Sequence, residues 1–420
     1  MTQNKNADIR VGIIGMGAMG KGLLHQSRLT PGIRCVAVCD LDEANAAAAL
    51  TSLGADYART ATAAEQGAAV AAGRIALCVS GADIAACPDV DVVIEATSDV
   101  SGAIHHAIAA LRNRKHLVMM NAEIDLMYGP LLSRIARENG VVSTSCGGDQ
   151  YGVLKLLMDD LRLWGFDLVM AGNIKGFLDR YANPTMIVPE ADKRNLDYRM
   201  CTSYTDGSKL NIEMAIVANA YDMVPPRIGM LGPAIAHVDD VFKTFDFAAL
   251  WQDRKPLVDY VLGAEPGGGV FAIGYCDHPY QRDMLSYYKM GPGPFYLFYR
   301  HYHLCHIEAM SAVLGAVRGE TFLTPLFGLK TNVYAYAKKD LEPGDMLDGL
   351  GGYLAYGLIE TVESDASQPG VPICLAHGLR VTVPIRKDEK IPVTKLAFDP
   401  ERADFRLYAE ALAESAPAGA

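Results

Sequence analysis

The 420-residue chain has little basic charge, no long apolar run and no paired cysteine motif. It holds 38 lysines and arginines against 49 acidic residues, a net charge of -11, so a basic nucleic-acid-binding surface is not expected. No apolar run reaches membrane-spanning length, and residues 1–6 lack the core of a signal peptide. We therefore expect a cytoplasmic protein without membrane or nucleic-acid partners. The 9 cysteines include no C-x-x-C pair, which favours reduced, buried thiols.

The chain is 50% hydrophobic and 21% charged, which is typical of a globular protein with two or three domains. Over residues 1–150, short apolar strands alternate with helical stretches, a pattern that predicts an α/β domain with a doubly wound parallel sheet. The pattern changes near residue 151, and a second, α+β domain is predicted over residues 151–330. A helix near residues 303–316 is expected to return to the first domain. Short strands around charged turns predict a small β-rich domain over residues 331–420.

A glycine-rich segment follows the first predicted strand and precedes a helix that is expected to begin near Lys21. Gly15 permits a tight turn, Gly17 lets the backbone approach a pyrophosphate, and Gly20 lets the helix pack close to the strand. The start of the helix then offers N–H groups and a positive dipole end to phosphates. The alternative is a glycine-rich turn that binds nothing. The predicted pyrophosphate-binding residues are Gly15, Gly17, Ala18, Met19 and Gly20.

An acidic residue follows the second predicted strand, Ile33–Cys39, at the position that suits the ribose hydroxyls of a dinucleotide. This residue, Asp40, lies about 20 residues beyond the last glycine of the turn. No arginine lies nearby to bind a 2′-phosphate, which favours NAD over NADP. Because another loop can supply a cation, the cofactor is predicted as NAD(P).

Polar residues follow two further buried strands of the first domain, Asp91–Thr97 and His116–Met120. In open α/β sheets the loops at the carboxyl ends of the strands face the nucleotide. Thr97 is therefore a predicted neighbour of the nicotinamide, with plain helix capping as the alternative. Asn121 and Glu123 lie in the next such loop and are also expected to face the ligand.

The segment around Asp206 carries a carboxylate and an ammonium at the expected start of a helix. If Thr205 or Asp206 is the N-cap, then Asp206, Lys209 and Glu213 lie on one helix face. A lysine beside an aspartate suits proton transfer at a carbonyl or alcohol oxygen. The alternative is a capping aspartate in a surface ion pair, and the residues alone favour that alternative.

Three histidines occur between Arg300 and Glu308, ahead of an apolar helix. His303 and His306 lack the four-residue spacing of a zinc-binding helix pair, and no third ligand is fixed by spacing. A polar helix start that faces the ligand is the preferred interpretation.

The whole chain resembles a bacterial family that is related to homoserine dehydrogenase and carries a C-terminal SAF-type domain. That family includes enzymes similar to the reductoisomerase that converts 1-deoxy-D-xylulose 5-phosphate to methylerythritol phosphate. The segments that carry the resemblance are Gly15–Gly20, Val118–Glu123, Gly148–Gln150, Asp206–Lys209, Ile212–Met214, Tyr302–Leu304, Ala337–Leu341 and Leu375–Gly378.

The resemblance implies specific roles for several of these residues. Asp206 and Lys209 match the aspartate and lysine that such dehydrogenases place around the reacting oxygen, so the resemblance favours a catalytic role for both. Asn121 and Glu123 match the ligand-facing loop. Homoserine dehydrogenases usually have a lysine after that asparagine, where this chain has Ala122, so the resemblance to homoserine dehydrogenase itself is weaker there.

The reductoisomerase-like branch fits the Asn-x-Glu loop better, and it implies a divalent cation, Mg²⁺ or Mn²⁺. Glu123, Asp125 or Asp149 would hold that ion, and Lys175 or Arg180 would bind a phosphate. The predicted substrate residues are Asp149, Gln150, Lys175 and His303.

The sequence therefore predicts an NAD(P)-dependent oxidoreductase that acts on the CH–OH group of a small hydroxy or oxo compound. Lys209, Asp206 and Glu123 are the predicted catalytic residues. A ketose-phosphate reductoisomerase, a simple alcohol dehydrogenase of the homoserine type and a non-catalytic dinucleotide sensor or scaffold remain open. The resemblance also implies a homo-oligomer, a dimer or tetramer that associates through the second domain.

Overall fold

The computed structural model describes residues 8–194, 196–362 and 369–415. The chain forms two compact units: unit 1 comprises Met1–Asp149 and Leu304–Thr324, and unit 2 comprises Gln150–His303 and Pro325–Ala420. The segment 331–420, predicted as a separate domain, lies within unit 2 in this division. None of the described helices is long and apolar enough to cross a membrane.

Unit 1 is built on a seven-stranded parallel sheet in the order β3-β4-β2-β1-β5-β6-β7. The chain leaves β1 in one direction to form β2, β3 and β4, and then crosses to the other side of β1 to form β5, β6 and β7. The predicted doubly wound α/β fold is confirmed. The strands are β1 (Ile9–Ile14), β2 (Ile33–Cys39), β3 (Tyr57–Thr60), β4 (Ile75–Cys78), β5 (Val92–Glu95), β6 (His116–Met119) and β7 (Ser143–Ser145).

Helices connect these strands, and the first of them begins three residues before the predicted start at Lys21. The helix Met310–Val317 packs against β5, β6 and β7, and the helix Cys305–Glu308 packs against the first helix of the unit, so residues 304–324 complete the core of this unit. The helices of unit 1 are α1 (Ala18–Leu29), α2 (Glu43–Ser52), α3 (Ala63–Ala71), α4 (Gly81–Ala86), α5 (Val100–Arg112), α6 (Ala122–Asn139), α14 (Cys305–Glu308) and α15 (Met310–Val317).

The core of unit 1 forms because the central strands are apolar along their length, as expected for a parallel sheet covered on both faces. Val11, Ile13, Val92 and Ile94 are fully buried between the helices. Cys35 and Cys39 on β2 and Cys78 on β4 are buried free thiols, as the sequence predicts.

Unit 2 contains a four-stranded mixed sheet in the order β11-β10-β8-β9. Strands β8 and β9 are parallel, whereas β10 is antiparallel to both of its neighbours. Strand β8 is nine residues long and ends at Lys175. The strands are β8 (Asp167–Lys175), β9 (Leu257–Leu262), β10 (Val270–Tyr275) and β11 (Phe295–Arg300).

The helix Ser208–Tyr221 is buried along its whole length. It lies between the four-stranded sheet and the C-terminal strands of unit 2 and therefore connects both parts of the unit. The helices of this part are α7 (Gln150–Leu163), α8 (Val188–Arg194), α9 (Tyr198–Thr205), α10 (Ser208–Tyr221), α11 (Val241–Thr244), α12 (Phe247–Leu250) and α13 (Pro279–Tyr287), with a 3₁₀ turn at Val238–Asp240.

The C-terminal part of unit 2 is rich in short strands, as predicted, but it also ends in a helix that the sequence analysis does not predict. Two antiparallel pairs form, β12 with β13 and β14 with β15. The elements are β12 (Thr331–Ala337), β13 (Ala355–Thr361), β14 (Arg380–Val381), β15 (Leu396–Ala397), α16 (Ala403–Ser415) and 3₁₀ turns at Ile373–Leu375 and Val393–Lys395.

Candidate functional site

The glycine-rich turn of unit 1 has one glycine that faces open space and two that are sterically required. Gly15 has a φ of +92°, and a Cβ added there would lie 2.8 Å from the backbone of Ala96. A Cβ on Gly20 would lie 1.9 Å from the carbonyl oxygen of Gly15, so the helix can approach the strand only without a side chain. A Cβ on Gly17 would meet nothing within 4 Å. The turn is therefore closed beneath Gly15 and Gly20 and open above Gly17.

The start of α1 fits a pyrophosphate. Gly17 is the N-cap and makes no side-chain capping bond, and no acidic residue lies in the first turn. Ala18 and Met19, the first two residues of the helix, are exposed and partly exposed. Their N–H groups lie at the positive end of the helix, where an anion is favoured. The residues predicted to bind the pyrophosphate are thus brought together, and their geometry fits that group.

Asp40 lies at the end of β2 and also holds the turn in place. Its Oδ2 accepts a hydrogen bond of 2.6 Å from the Met16 N–H, and its Oδ1 accepts one of 2.9 Å from the Asp42 N–H. The carboxylate remains partly exposed. Sequence reasoning assigned Asp40 to the ribose alone and did not predict this second role.

The predicted nicotinamide neighbours, Thr97 and Asn121, are linked to each other. Asn121 Nδ2 donates a 3.0 Å hydrogen bond to the carbonyl oxygen of Thr97, and Asn121 Oδ1 accepts one from the Ile124 N–H at the start of α6. Asn121 is buried, and Thr97 is partly exposed. The loops that follow β5 and β6 are therefore joined by a hydrogen bond, and β5 lies next to β1, which leads into the glycine-rich turn.

Sequence reasoning missed Glu95, the last residue of β5. The side chain is fully buried, and burial raises its pKa to about 8. The signal was available, because a carboxylate at the end of the apolar run Val92–Ile94 is unusual in a buried strand.

The three carboxylates predicted as metal ligands lie in unit 1 but do not form a metal-binding cluster. Glu123 and Asp125 are buried in the first turn of α6, and burial raises the pKa of Asp125 to about 7 while Ser145 Oγ donates to it. Asp149 accepts a weak 3.9 Å contact from Cys305 Sγ. Among the described residues, these three side chains are not a group whose ligand atoms all lie within 4.8 Å of one another. Their arrangement does not fit a shared divalent cation.

In unit 2, the N-cap predicted at Thr205 or Asp206 is wrong by one or two residues. Asp206 is the C-cap of α9, and Gly207, with a φ of +86°, is the N-cap of α10. Lys209 and Glu213 lie one turn apart on α10 and are both buried. Because Asp206 and Lys209 are only 4% and 5% exposed, the surface ion pair of the alternative prediction is wrong.

Asp206 forms a buried ion pair with a lysine that sequence reasoning did not assign to the site. Lys338 Nζ lies 2.8 Å from Asp206 Oδ2, and it donates hydrogen bonds to the carbonyl oxygens of Ala182 and Gly352. The Ser208 N–H donates a 2.8 Å bond to Asp206 Oδ1. Burial raises the pKa of Asp206, and Lys338 and Ser208 offset part of that increase.

Strand β13 holds the start of α10 through two further buried hydrogen bonds. The Gly357 N–H donates to Ser208 Oγ at 2.7 Å, and the Ile359 N–H donates to Asn211 Oδ1 at 2.9 Å. The side chains of Ser208 and Asn211 thus satisfy two backbone N–H groups of this strand. The segment that carries Lys209 is therefore fixed by the C-terminal strands of unit 2.

The predicted substrate residues are distributed over both units. Asp149 belongs to unit 1, and the other three belong to unit 2. Gln150 accepts a hydrogen bond from Asn173 on β8, and His303 Nδ1 lies 2.9 Å from the carbonyl oxygen of Gly268. Lys175 ends β8 and is partly exposed. Their role towards a substrate stays a prediction.

Two family models match this chain. Residues 10–120 match the NAD binding domain of 3-hydroxyacyl-CoA dehydrogenase, and residues 148–309 match the catalytic domain of oxidoreductase DRL. The second match includes both Asp206 and Lys209.

Curated relatives match shorter parts of the chain. A homoserine dehydrogenase of Bacillus subtilis is 30% identical over 31% of this chain and 28% of its own length. A glycosyl hydrolase family 109 protein of Shewanella amazonensis is 37% identical over 27% of this chain and 22% of its own length. The chain thus spans about a quarter of each relative.

Among solved structures, this chain is similar to a homoserine dehydrogenase from Thiobacillus denitrificans, with 14% sequence identity and a TM-score of 0.46. The match covers 91% of this chain and 98% of the other chain. The match of residues 10–120 to an NAD-binding domain confirms the predicted cofactor, NAD(P).

Proposed function

We propose that this chain is an NAD(P)-dependent oxidoreductase that transfers a hydride between the nicotinamide and a carbon of a small hydroxy or oxo compound. The observation that carries the proposal is that the chain has both of two features. One is the turn that is open above Gly17, and the other is the buried Asp206 and Lys209 within the segment that matches an oxidoreductase catalytic domain. The first suits a dinucleotide, and the second suits proton transfer.

The chemistry requires one proton transfer for each hydride transfer. Oxidation of a CH–OH group moves a hydride to the bound nicotinamide and leaves a proton on the oxygen. Lys209 accepts that proton, and in the reverse reaction it donates a proton to the carbonyl oxygen. Asp206 orients the reacting groups through its charge, and Lys338 and Ser208 fix its carboxylate.

Glu123, which belongs to unit 1, is the third residue that we propose to take part in the reaction. It lies in the first turn of α6, two residues after Asn121, whose side chain bonds the end of β5. A carboxyl oxygen can accept a hydrogen bond, so Glu123 would bind a hydroxyl of the substrate.

A phosphorylated ketose is the finer substrate proposal. Lys175 and Arg180 place two cations near the end of β8, and each lies over a tyrosine ring, Tyr204 and Tyr356 respectively. Such cations suit a phosphate group. Because Glu123, Asp125 and Asp149 do not form a shared cation site, no step of the proposed reaction is assigned to a metal ion.

The first experiment follows the absorbance of NADH and NADPH during incubation with small oxo acids, amino-acid semialdehydes and ketose phosphates. Lys209→Met is expected to lower kcat at least about 100-fold, the usual contribution of a general acid–base group. Lys193→Met is the matched control, because Lys193 is an exposed lysine of α8. Unchanged turnover in Lys209→Met would contradict the assigned role of Lys209.

The same assay separates the alternative functions. Consumption of a ketose phosphate that stops in the presence of a strong chelator would favour a metal-dependent reductoisomerase. Consumption of a semialdehyde without any chelator effect would favour an alcohol dehydrogenase of the homoserine type. Nucleotide binding without turnover of any compound would favour a sensor or scaffold. The proposed homo-oligomer is checked separately by analytical ultracentrifugation.

A further inference from the structure

Glu95 ends β5 with one carboxylate oxygen bonded and the other without a partner. Its Oε1 accepts hydrogen bonds from the Thr97 N–H at 3.2 Å and from Thr97 Oγ1 at 2.5 Å. Its Oε2 is buried and has no hydrogen-bond partner among the described residues. Buried polar atoms almost always have partners, since a missing one costs about 1–3 kcal/mol. The unpartnered oxygen therefore indicates a ligand atom that completes the site.

The position of Glu95 in the sheet defines that ligand. Strand β5 lies between β1 and β6, and Glu95 is paired with Ile14 on one side and with Met119 on the other. The sheet order reverses between β1 and β5, and nucleotides bind outside the carboxyl ends of the strands at such a point. The bonds from Thr97 show that the Glu95 carboxyl is directed towards this edge.

Glu95 lies on the side of β1 opposite to the residue expected to bind the adenosine ribose. Asp40 follows β2, on one side of β1, and the turn at Gly17 lies on β1 itself. A dinucleotide whose pyrophosphate lies on this turn, with its adenosine ribose at Asp40, extends its other half towards β5. That half carries the nicotinamide and its ribose.

We propose that Glu95 is a cofactor-binding residue whose Oε2 forms a hydrogen bond with the nicotinamide half of the bound dinucleotide. The inference rests on the NAD(P) binding of the proposed function but not on the identity of the substrate. It adds a binding residue that the glycine-rich pattern and Asp40 do not supply.

The charge state of Glu95 supports this role. Burial is the main cause that raises its pKa to about 8, and Asp99 and Glu123 raise it further. The carboxyl therefore carries its proton at pH 7 and can donate it in a hydrogen bond, without placing a negative charge beside the phosphates. The other titratable side chains on the elements packed against β5 are Arg10, His105, His106, Arg112 and His116.

Titration calorimetry with NADH, ADP-ribose and ADP tests the proposal, because these ligands differ only in what they carry beyond the pyrophosphate. Glu95→Ala is expected to weaken NADH binding at pH 7 about tenfold, the effect of one buried hydrogen bond. ADP binding, which does not involve the nicotinamide half, is expected to stay unchanged. Glu95→Gln keeps a donor and an acceptor at the same place and is expected to bind NADH within about threefold of the wild type.

A pH series gives a second measurement that does not depend on the stability of Glu95→Ala. In the wild type, NADH affinity is expected to fall between pH 7 and pH 9.5, because ionised Glu95 loses its donor proton and repels the phosphates. In Glu95→Gln this fall is expected to disappear.

Four outcomes would overturn the inference. NADH affinity unchanged in Glu95→Ala, ADP and NADH weakened equally, or the same pH dependence in the wild type and Glu95→Gln would each overturn it alone. A wild-type protein that binds neither NADH nor NADPH would overturn the proposed function together with this inference.

Discussion

Lys338 Nζ lies 2.8 Å from Asp206 Oδ2, and both side chains are almost completely buried. Lys338 directly follows β12, whereas Asp206 is the C-cap of α9 and lies two residues before the start of α10. Removing two opposite charges from water is costly, and the geometry repays this cost only when other hydrogen bonds satisfy the remaining donors. The carbonyl oxygens of Ala182 and Gly352 satisfy them here. The C-terminal strands of unit 2 therefore contribute directly to the environment of the proposed catalytic residues.

Replacing Lys338 by methionine is expected to lower the free energy of unfolding by about 3–5 kcal/mol, because Asp206 is left as a buried, uncompensated charge. Denaturant unfolding monitored by circular dichroism measures the change. Lys339→Met is the matched control, since the neighbouring Lys339 is exposed, and it is expected to change stability by less than about 0.5 kcal/mol. The double variant Lys338→Met with Asp206→Asn should recover most of the loss. An equal loss in the single and double variants would show that the charge of Asp206 is not the cause.

The glycines of the first turn are expected to separate binding from stability. Gly17→Ala meets no neighbouring atom, so its stability should equal that of the wild type, whereas its added methyl group should weaken NAD(P)H binding about tenfold or more by blocking the phosphate. Gly20→Ala would place a Cβ 1.9 Å from the Gly15 oxygen and should lower stability by about 1–3 kcal/mol or more. Thermal unfolding and nucleotide titration of both variants check the pair. Loss of stability in Gly17→Ala would contradict the finding that a Cβ at this position meets no neighbouring atom.

Local patterns predicted unit 1 better than unit 2. The turn at Gly15–Gly20 and the acid at Asp40 follow from spacing within one βα unit, and the structure brings both to the same place. The pairing of Asp206 with Lys338 could not be predicted in this way, because hydrophobic periodicity indicates which faces are buried but not which distant polar side chains meet. The start of α10 was misplaced for a different reason: Gly207 adopts a left-handed conformation, which ends α9 and lets a new helix begin at Ser208.

Asp40 is expected to decide the choice between the two nucleotides. Asp40→Asn keeps an oxygen that can accept the hydrogen bond from the Met16 N–H but removes the negative charge that disfavours a 2′-phosphate. The ratio of NADPH affinity to NADH affinity should rise about tenfold, the effect of one unfavourable charge contact near the surface. Titration of both nucleotides measures this ratio. Asp42→Asn is the control, because Asp42 caps α2 and asparagine caps equally well. An unchanged ratio in Asp40→Asn would place the selection between NAD and NADP elsewhere.

Asp259 on β9 is expected to make unit 2 less stable as the pH rises. Burial raises its pKa from the ordinary value to about 6, although the N–H groups of Leu231, Gly232 and Tyr260 donate to it and lower the pKa in part. Between pH 4 and pH 6 the folded chain therefore binds more protons at this site than the unfolded chain does. Stability from this group is complete below about pH 4 and is lost as the pH rises through 6, with a slope of up to about 1.4 kcal/mol per pH unit.

Asp259→Asn removes this titration while its single oxygen can still accept the three hydrogen bonds that reach Asp259 Oδ1. The free energy of unfolding of the wild type should therefore fall relative to that of Asp259→Asn as the pH rises. The total change between pH 4 and pH 7 should be about 3 kcal/mol or less. Denaturant unfolding at four or five pH values measures the difference, and Asp253→Asn serves as the control at an exposed aspartate. A difference that does not vary with pH, or that moves in favour of the wild type, would mean that Asp259 is already ionised at pH 4 in the folded chain. The three N–H donors would then outweigh the burial of the carboxylate.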